Sequence, residues 1–171
     1  MSRLLLTSDL HLGHKNICKY RTGFKDAQHH HETVFENLAS SVSKRDTIYF
    51  LGDIAFDPYW LPLIKGIRAQ HKKLIVGNHC TEHIPMSELV KCFDSVDSLL
   101  SKRNFWFSHA PIHPQEIRRR VANIHGHLHG NIVLDQNGEP DKRYINVCLE
   151  HTDYKPISFE EVIKRAGYES I

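Results

Sequence analysis

Five short apolar runs in this chain each lead into residues of the kind that bind metal ions, and this recurrence constrains the fold more than any other feature. Leu4–Leu6 leads into Thr7-Ser8-Asp9-Leu10-His11, and Thr47–Leu51 into Gly52-Asp53. Lys73–Val76 leads into Gly77-Asn78-His79, Phe105–Phe107 into Ser108-His109, and Val121–Ile124 into His125-Gly126-His127-Leu128-His129. Most of the runs are rich in β-branched, leucine or aromatic residues and lack a 3.6-residue period, so they read as buried strands. A sixth run, Tyr144–Leu149, reads the same way. Sites in open α/β sheets form beyond the carboxyl ends of the strands, where all five ligand blocks fall.

Helical patterns lie between the strands. Glu32–Val42 places Val34, Phe35, Leu38 and Val42 on one face. Further helical segments are expected within Asp57–Gln70, over Ser87–Cys92 with Ser87 as a cap, and over Ser158–Ala166, where Ser158 and Glu161 have capping-box spacing, while Pro114–Arg120 reads as a short basic helix or turn. Gln136–Pro140 is a turn signal. The alternation predicts an α/β fold in a single domain over residues 1–171, with no repeat or linker.

Composition narrows the partners. Lys and Arg number 22 against 20 Asp and Glu, a balance that gives no electrostatic argument for nucleic acid or a membrane surface. The apolar start turns polar at Thr7, too soon for a signal sequence or a membrane span. The four cysteines, at 18, 80, 92 and 148, form no CxxC pair, so free thiols in a reducing cytoplasm are expected.

Carboxylate, imidazole and amide donors without an obligatory thiolate suit borderline or hard divalent ions: Mn first, with Fe, Ni, Co or Zn as alternatives. Asp9 and His11, like His127 and His129, would share one face of an extended segment. Gly52, Gly77 and Gly126 would let the backbone turn tightly beside them. Each block taken singly has a bland reading: Asp53 as a cap, His109 as a core histidine, Gly77-Asn78-His79 as a turn. Five blocks in one order, all at strand ends, leave those readings little room.

The order Asp9-x-His11, Gly52-Asp53, Gly77-Asn78-His79, His109, Gly126-His127-x-His129 resembles the calcineurin-like metallophosphoesterase superfamily. Asp9–Ile17, and the tail from Ile145-Asn146-Val147 through Asp153–Ile157, are similar to small bacterial and phage phosphoesterases of that group. The resemblance implies two facing β-sheets (a β-sandwich) flanked by α-helices in four layers. It implies two divalent metal ions: Asp9, His11 and His129 on the first, Asn78, His109 and His127 on the second, and Asp53 bridging them. It implies His79 as the catalytic residue beside the scissile phosphate, and hydrolysis of a phosphodiester or nucleotide-type substrate. A phosphomonoesterase or nuclease is the alternative within the group. Some relatives keep the fold as binding scaffolds but lose the catalytic histidine, which is present here; a chain silenced at Cys80 and used for nucleotide sensing is a third reading.

The pattern departs from the superfamily at Cys80, where an acidic residue usually follows the histidine and orients it. A thiol cannot take that part, and Glu82 is the nearby carboxylate. His14 and Asn16 are expected at the rim as substrate contacts or loop supports. His113 offers a substrate contact or a rigid turn, and Arg118–Arg120 a second phosphate contact or a solvated face. The His29–His31 run is expected as the exposed start of a helix. Phe24, Tyr59 and Trp60 offer base stacking or core packing. Oligomeric state is not readable from the sequence.

Overall fold

Leu4–Thr7 (β1), buried along its whole length, pairs in parallel with Thr47–Phe50 (β2), which pairs in parallel with His71–Ile75 (β3). Ser95–Asp97 (β4) extends that edge in parallel. A second sheet runs Leu99–Lys102 (β5), Phe105–Ser108 (β6), Asn123–His125 (β7) and Tyr144–Asn146 (β8), in that order. The two strands β5 and β6 form a hairpin across Arg103-Asn104, both with positive φ, as a two-residue type I′ turn requires. The pairings β6–β7 and β7–β8 are parallel. Ile157–Ser158 (β9) returns antiparallel to β1 and completes the five-stranded sheet β4-β3-β2-β1-β9. This computed structural model describes residues 2–168.

Four helices complete the mixed α/β architecture: Ala27–Ser41 (α1), Trp60–Gly66 (α2), Met86–Leu89 (α3) and Phe159–Arg165 (α4). Side chains alternate along the strands of the first sheet and so feed two cores. Leu5, Ile48, Phe50 and Leu74 pack with Val34 and Leu38 of α1 and with Trp60, Leu61 and Ile64 of α2. Leu4, Leu6, Tyr49, Leu51 and Ile75 pack with Phe105, Phe107 and Ile124 of the second sheet and Val162 of α4.

Several boundaries differ from the pattern reading. Helix α1 begins at Ala27, because the Asp26 carboxylate caps it by accepting from the His29 N–H at 2.8 Å. That start carries the histidine run into the helix, and His30 and His31 are buried rather than exposed. Helix α3 begins after Pro85 with no side-chain cap, so Ser87 lies inside it. Pro114–Ile117 forms a single 3-10 turn, shorter than the Pro114–Arg120 segment and the turn form of the two the pattern allowed. In α4 the Ser158 hydroxyl accepts from the Glu161 N–H at 3.1 Å, as the capping spacing predicts. The short, half-exposed β4 and β5 and the two-residue β9 carry too little apolar pattern to read in advance.

Candidate metal centre

The parallel pairing of β1, β2 and β3, and of β6 with β7, sends their ligand-bearing ends in common directions. Beyond the strands the ligand loops stay tied to one another. Asp9 N–H donates to Gly52 O at 3.1 Å and His11 N–H to Asp53 O at 3.0 Å, while Gly126 N–H donates to His109 O at 2.8 Å.

Two groups of three donors result. Asp9, His11 and His129 each bring a ligand atom to within 4.8 Å of the others, and Asp53, His109 and His127 do the same. The amide of Asn78 joins the second group, its Oδ1 2.9 Å from His109 Nε2. The two groups touch through His79. Its backbone N–H donates to Asp53 Oδ1 at 2.9 Å, and its ring centroid lies 6.1 Å from that of His11.

The ligands do not converge by strand alternation, as their spacing predicts. Asp9, His11, Asp53, His127 and His129 have φ of 57°, 50°, 49°, 69° and 50°, all in the left-handed region. Each such non-glycine residue costs on the order of 1–3 kcal/mol, and strain of this kind collects at functional sites. Nor do two of the three glycines serve mainly as turns. A Cβ on Gly77 would strike Asp53 Oδ1, and one on Gly126 would strike Ser8 Oγ and Asp9 Oδ2. Both are glycine because a ligand carboxylate occupies the space.

The donor atoms are prepared for cations. Asp9 Oδ2 accepts from Ser8 Oγ at 2.5 Å, Cys148 Sγ at 3.1 Å and His127 N–H at 2.9 Å. Its Oδ1 is buried without a hydrogen-bond partner among the described residues, 3.6 Å from His11 Nε2. Burial would raise the Asp9 carboxyl, but contacts with His11, His109, Ser8 and the His127 amide hold it well below the ordinary range. Both ring nitrogens of His11 are likewise buried without partners, and burial favours its neutral, ligating form. His109 Nδ1 lies 2.7 Å from Leu51 O, which fixes the proton there. Its Nε2 faces Asn78 Oδ1 at 2.9 Å, Asp53 Oδ2 at 3.2 Å and His127 Nδ1 at 3.2 Å. Four atoms able to ligate a cation converge this way, and these residues fit one.

Phe56 is a member of the site that pattern reading missed. Its ring contacts those of His11, His14, His79 and His83, with centroids 5.3, 4.8, 5.4 and 5.5 Å away. His14 therefore sits beside the first group. Asn16 is exposed in the turn that follows, and no contact ties it to the ligands. His113 is used structurally, its Nδ1 accepting from Gln115 N–H at 3.3 Å. Arg118 is exposed and joins neither group, whereas Arg120 bonds Ser101 Oγ at 2.7 Å and lies over the Trp106 ring. Trp60 is core, Tyr59 is exposed, and Phe24 packs on His30 and Tyr154.

Cys80 sits beneath the site, fully buried, its Sγ accepting from Gly77 N–H at 3.2 Å and Asp53 N–H at 3.3 Å. The carboxylate beside His79 is that of Glu82, with Oε2 2.9 Å from Nδ1. Glu150 was also missed. It accepts from His129 Nδ1 at 3.0 Å. Its signal was available, because it follows the sixth apolar run just as the ligands follow the other five.

No family model matches the chain. An uncharacterised protein of Methanocaldococcus jannaschii, MJ1445, is 28% identical over 96% of this chain and 91% of its own length. The gene 66 protein of Mycobacterium phage L5 is 38% identical, but the match covers 51% of this chain and 44% of the phage protein. Among solved structures, AQ665 of Aquifex aeolicus, a protein of unknown function, superposes with a TM-score of 0.74 at 25% identity over 96% of this chain and 100% of its own. The fold is thus shared over the whole of that protein. The nuclease MPE of Pseudomonas putida gives a TM-score of 0.49 at 19% identity over 81% of this chain and 66% of its own, too distant to bear on the chemistry here.

Proposed function

We propose that the chain hydrolyses a phosphate ester, a phosphodiester or nucleotide-type substrate, with two divalent cations. Asp9, His11 and His129 would hold the first, Asn78, His109 and His127 the second, and Asp53 both. The observation that carries this reading is the adjacency of two three-donor groups to one histidine, His79, that touches both. The resemblance of the five ligand blocks to the calcineurin-like metallophosphoesterases supports it, as does a donor set of carboxylate, imidazole and amide, which suits Mn, Fe, Ni, Co or Zn. The shared core beneath the sheets is consistent with two facing layers in a single domain.

Bound cations would lower the pKa of water toward neutrality and offset charge on the phosphoryl oxygens. The protein's own residues do the rest. Asp9 stays ionised, and burial keeps the imidazoles of His11 and His127 neutral. His79, oriented by Glu82, gives a proton to the departing alkoxide oxygen. Phe56 packs against His11 and His79 and limits water on that side. A cleft of about 420 Å³ opens on the other side, beside Asn78, His109 and His127, with Val76, Leu99, Pro111 and Ile112 in its walls. It favours a diester over a monoester, because only a diester has a second substituent to place there.

The test is an ester panel with the Mn-loaded chain: aryl mono- and diesters, cyclic nucleotides and short single-stranded oligonucleotides. Turnover of at least one diester above its monoester is expected. Turnover of none would overturn the reading, and faster turnover of monoesters would move it to the phosphomonoesterase alternative. Among the described residues no helix is long and apolar enough to cross a membrane.

A further inference from the structure

Behind the first ligand group lies a buried cation that no ligand role explains. Arg21 is 2% exposed. A buried charge left unmatched is strongly unfavourable, so its contacts are informative. Its Nη2–H donates to the backbone carbonyl of Asp9 at 2.7 Å, and its Nε–H to Glu150 Oε1 at 2.9 Å. Its Nη1 lies 2.9 Å from His30 Nε2.

These contacts fix proton positions outward in two directions. A guanidinium donates and never accepts, so His30 Nε2 is the acceptor and the His30 proton sits on Nδ1. That Nδ1 lies 3.0 Å from His31 Nδ1, which must therefore accept in turn. Burial, with the Arg21 charge adding to it, pushes His30 down to about 3, so it stays neutral and keeps accepting. On the other side, Glu150 Oε1 takes a second hydrogen bond, from His129 Nδ1 at 3.0 Å. A proton held on Nδ1 leaves His129 Nε2 bare, and that atom lies 3.9 Å from Asp9 Oδ1. Burial would raise the Glu150 carboxyl, but His129 and Arg21 hold it down at about 2.

We propose that Arg21 and Glu150 are positioning residues dedicated to the first metal group: Glu150 holds the His129 ring with Nε2 turned to the ion, and Arg21 anchors both Glu150 and the left-handed Asp9 backbone. The proposal rests on the metal reading above. It also makes the two groups separable, because the second is oriented differently, through the Leu51 carbonyl on His109 Nδ1. Residues from three separate parts of the chain meet here: the turn before α1, α1 itself, and the segment after β8.

The experiment is equilibrium dialysis of the full chain against Mn2+ with metal analysis, alongside thermal melting. The wild type is expected to hold two ions. Glu150→Ala is expected to weaken one of the two by about 10–100-fold, as loss of a partner to a ligating histidine does, and to leave the other unchanged. Glu150→Gln, which can still accept from His129 Nδ1–H, is expected to recover part of that loss. Arg21→Lys keeps the charge but loses the fork, and is expected to weaken the same ion; it carries the test if Glu150→Ala does not fold. Two ions at wild-type affinity in Glu150→Ala and Arg21→Lys would overturn the proposal. So would parallel loss of both ions with the melting transition, which marks a general structural role. A wild-type chain that binds no Mn2+ overturns the metal reading beneath it.

Discussion

His79 Nδ1 lies 2.9 Å from Glu82 Oε2, three residues along the chain. The contact is close without being an aligned hydrogen bond, and Nδ1 has no hydrogen-bond partner among the described residues. Glu82 is thus the carboxylate beside His79, and Cys80 is free for another task. Its sulfur accepts two buried N–H groups, one of them from Asp53.

This division separates three variants. His79→Ala is predicted to lower kcat by about 10²–10⁴-fold, the usual worth of a general acid, with Mn2+ stoichiometry intact. Glu82→Gln is predicted to cost much less, about fivefold or below, because exposed pairs contribute about 1 kcal/mol or less. Cys80→Ala is predicted to lower stability by about 1–3 kcal/mol, the cost of unsatisfied buried N–H groups, without the selective kcat loss of His79→Ala. Steady-state kinetics and urea melts read all three. A larger kcat loss in Cys80→Ala than in Glu82→Gln would reverse the assignment.

Gly126→Ala tests whether glycine is required by space rather than by turn geometry. The new Cβ would meet Ser8 Oγ and Asp9 Oδ2. Displacing Asp9 is predicted to remove the first ion in metal analysis, and overpacking to lower stability by about 1–3 kcal/mol. A chain that keeps both ions would show that the loop yields without moving Asp9.

The residues that converge at the candidate site were legible because each follows an apolar run, and strand ends are visible to simple periodicity. The geometry that brings the donors together was not. Left-handed φ at Asp9, His11 and Asp53 is imposed by cross-loop hydrogen bonds such as His11 N–H to Asp53 O, which join residues far apart in sequence. The Arg21–Glu150 pair was hidden for the same reason, its members standing 129 positions apart. The burial of His30 and His31 was within reach: His31 precedes Val34 and Leu38 by three and seven residues, so the apolar face of α1 extends back to it.

Acid should weaken the metal-free fold. Burial holds His30, His31 and His125 down to about 3, 4 and 4. Their folded values lie below the unfolded value of about 6.5, so the folded chain binds fewer protons and stability falls as pH drops below that point. Each contributes up to about 1.4 kcal/mol per pH unit. His11, His14 and His127, also lowered chiefly by burial, act in the same direction. His109 and His129 are raised; their stabilisation is complete below about 6.5 and is lost only at higher pH. Glu150, at about 2, changes state only in more acid solution. Urea melts in EDTA at pH 6.0 and 5.0 are predicted to show a clear loss of stability at the lower pH, and equal stabilities would contradict this.

The account stands or falls on Asp53. Its Oδ2 lies 3.2 Å from His109 Nε2 and its Oδ1 receives the His79 amide, so one carboxylate joins the second group to His79, the proposed proton donor. The decisive measurement is Mn2+-dependent hydrolysis of bis(p-nitrophenyl) phosphate by the wild type and by Asp53→Asn. We predict wild-type turnover that EDTA abolishes, and a loss of about 10²–10³-fold or more in the variant, on the scale of removing a key electrostatic group. Wild-type rates in Asp53→Asn would contradict the two-metal mechanism.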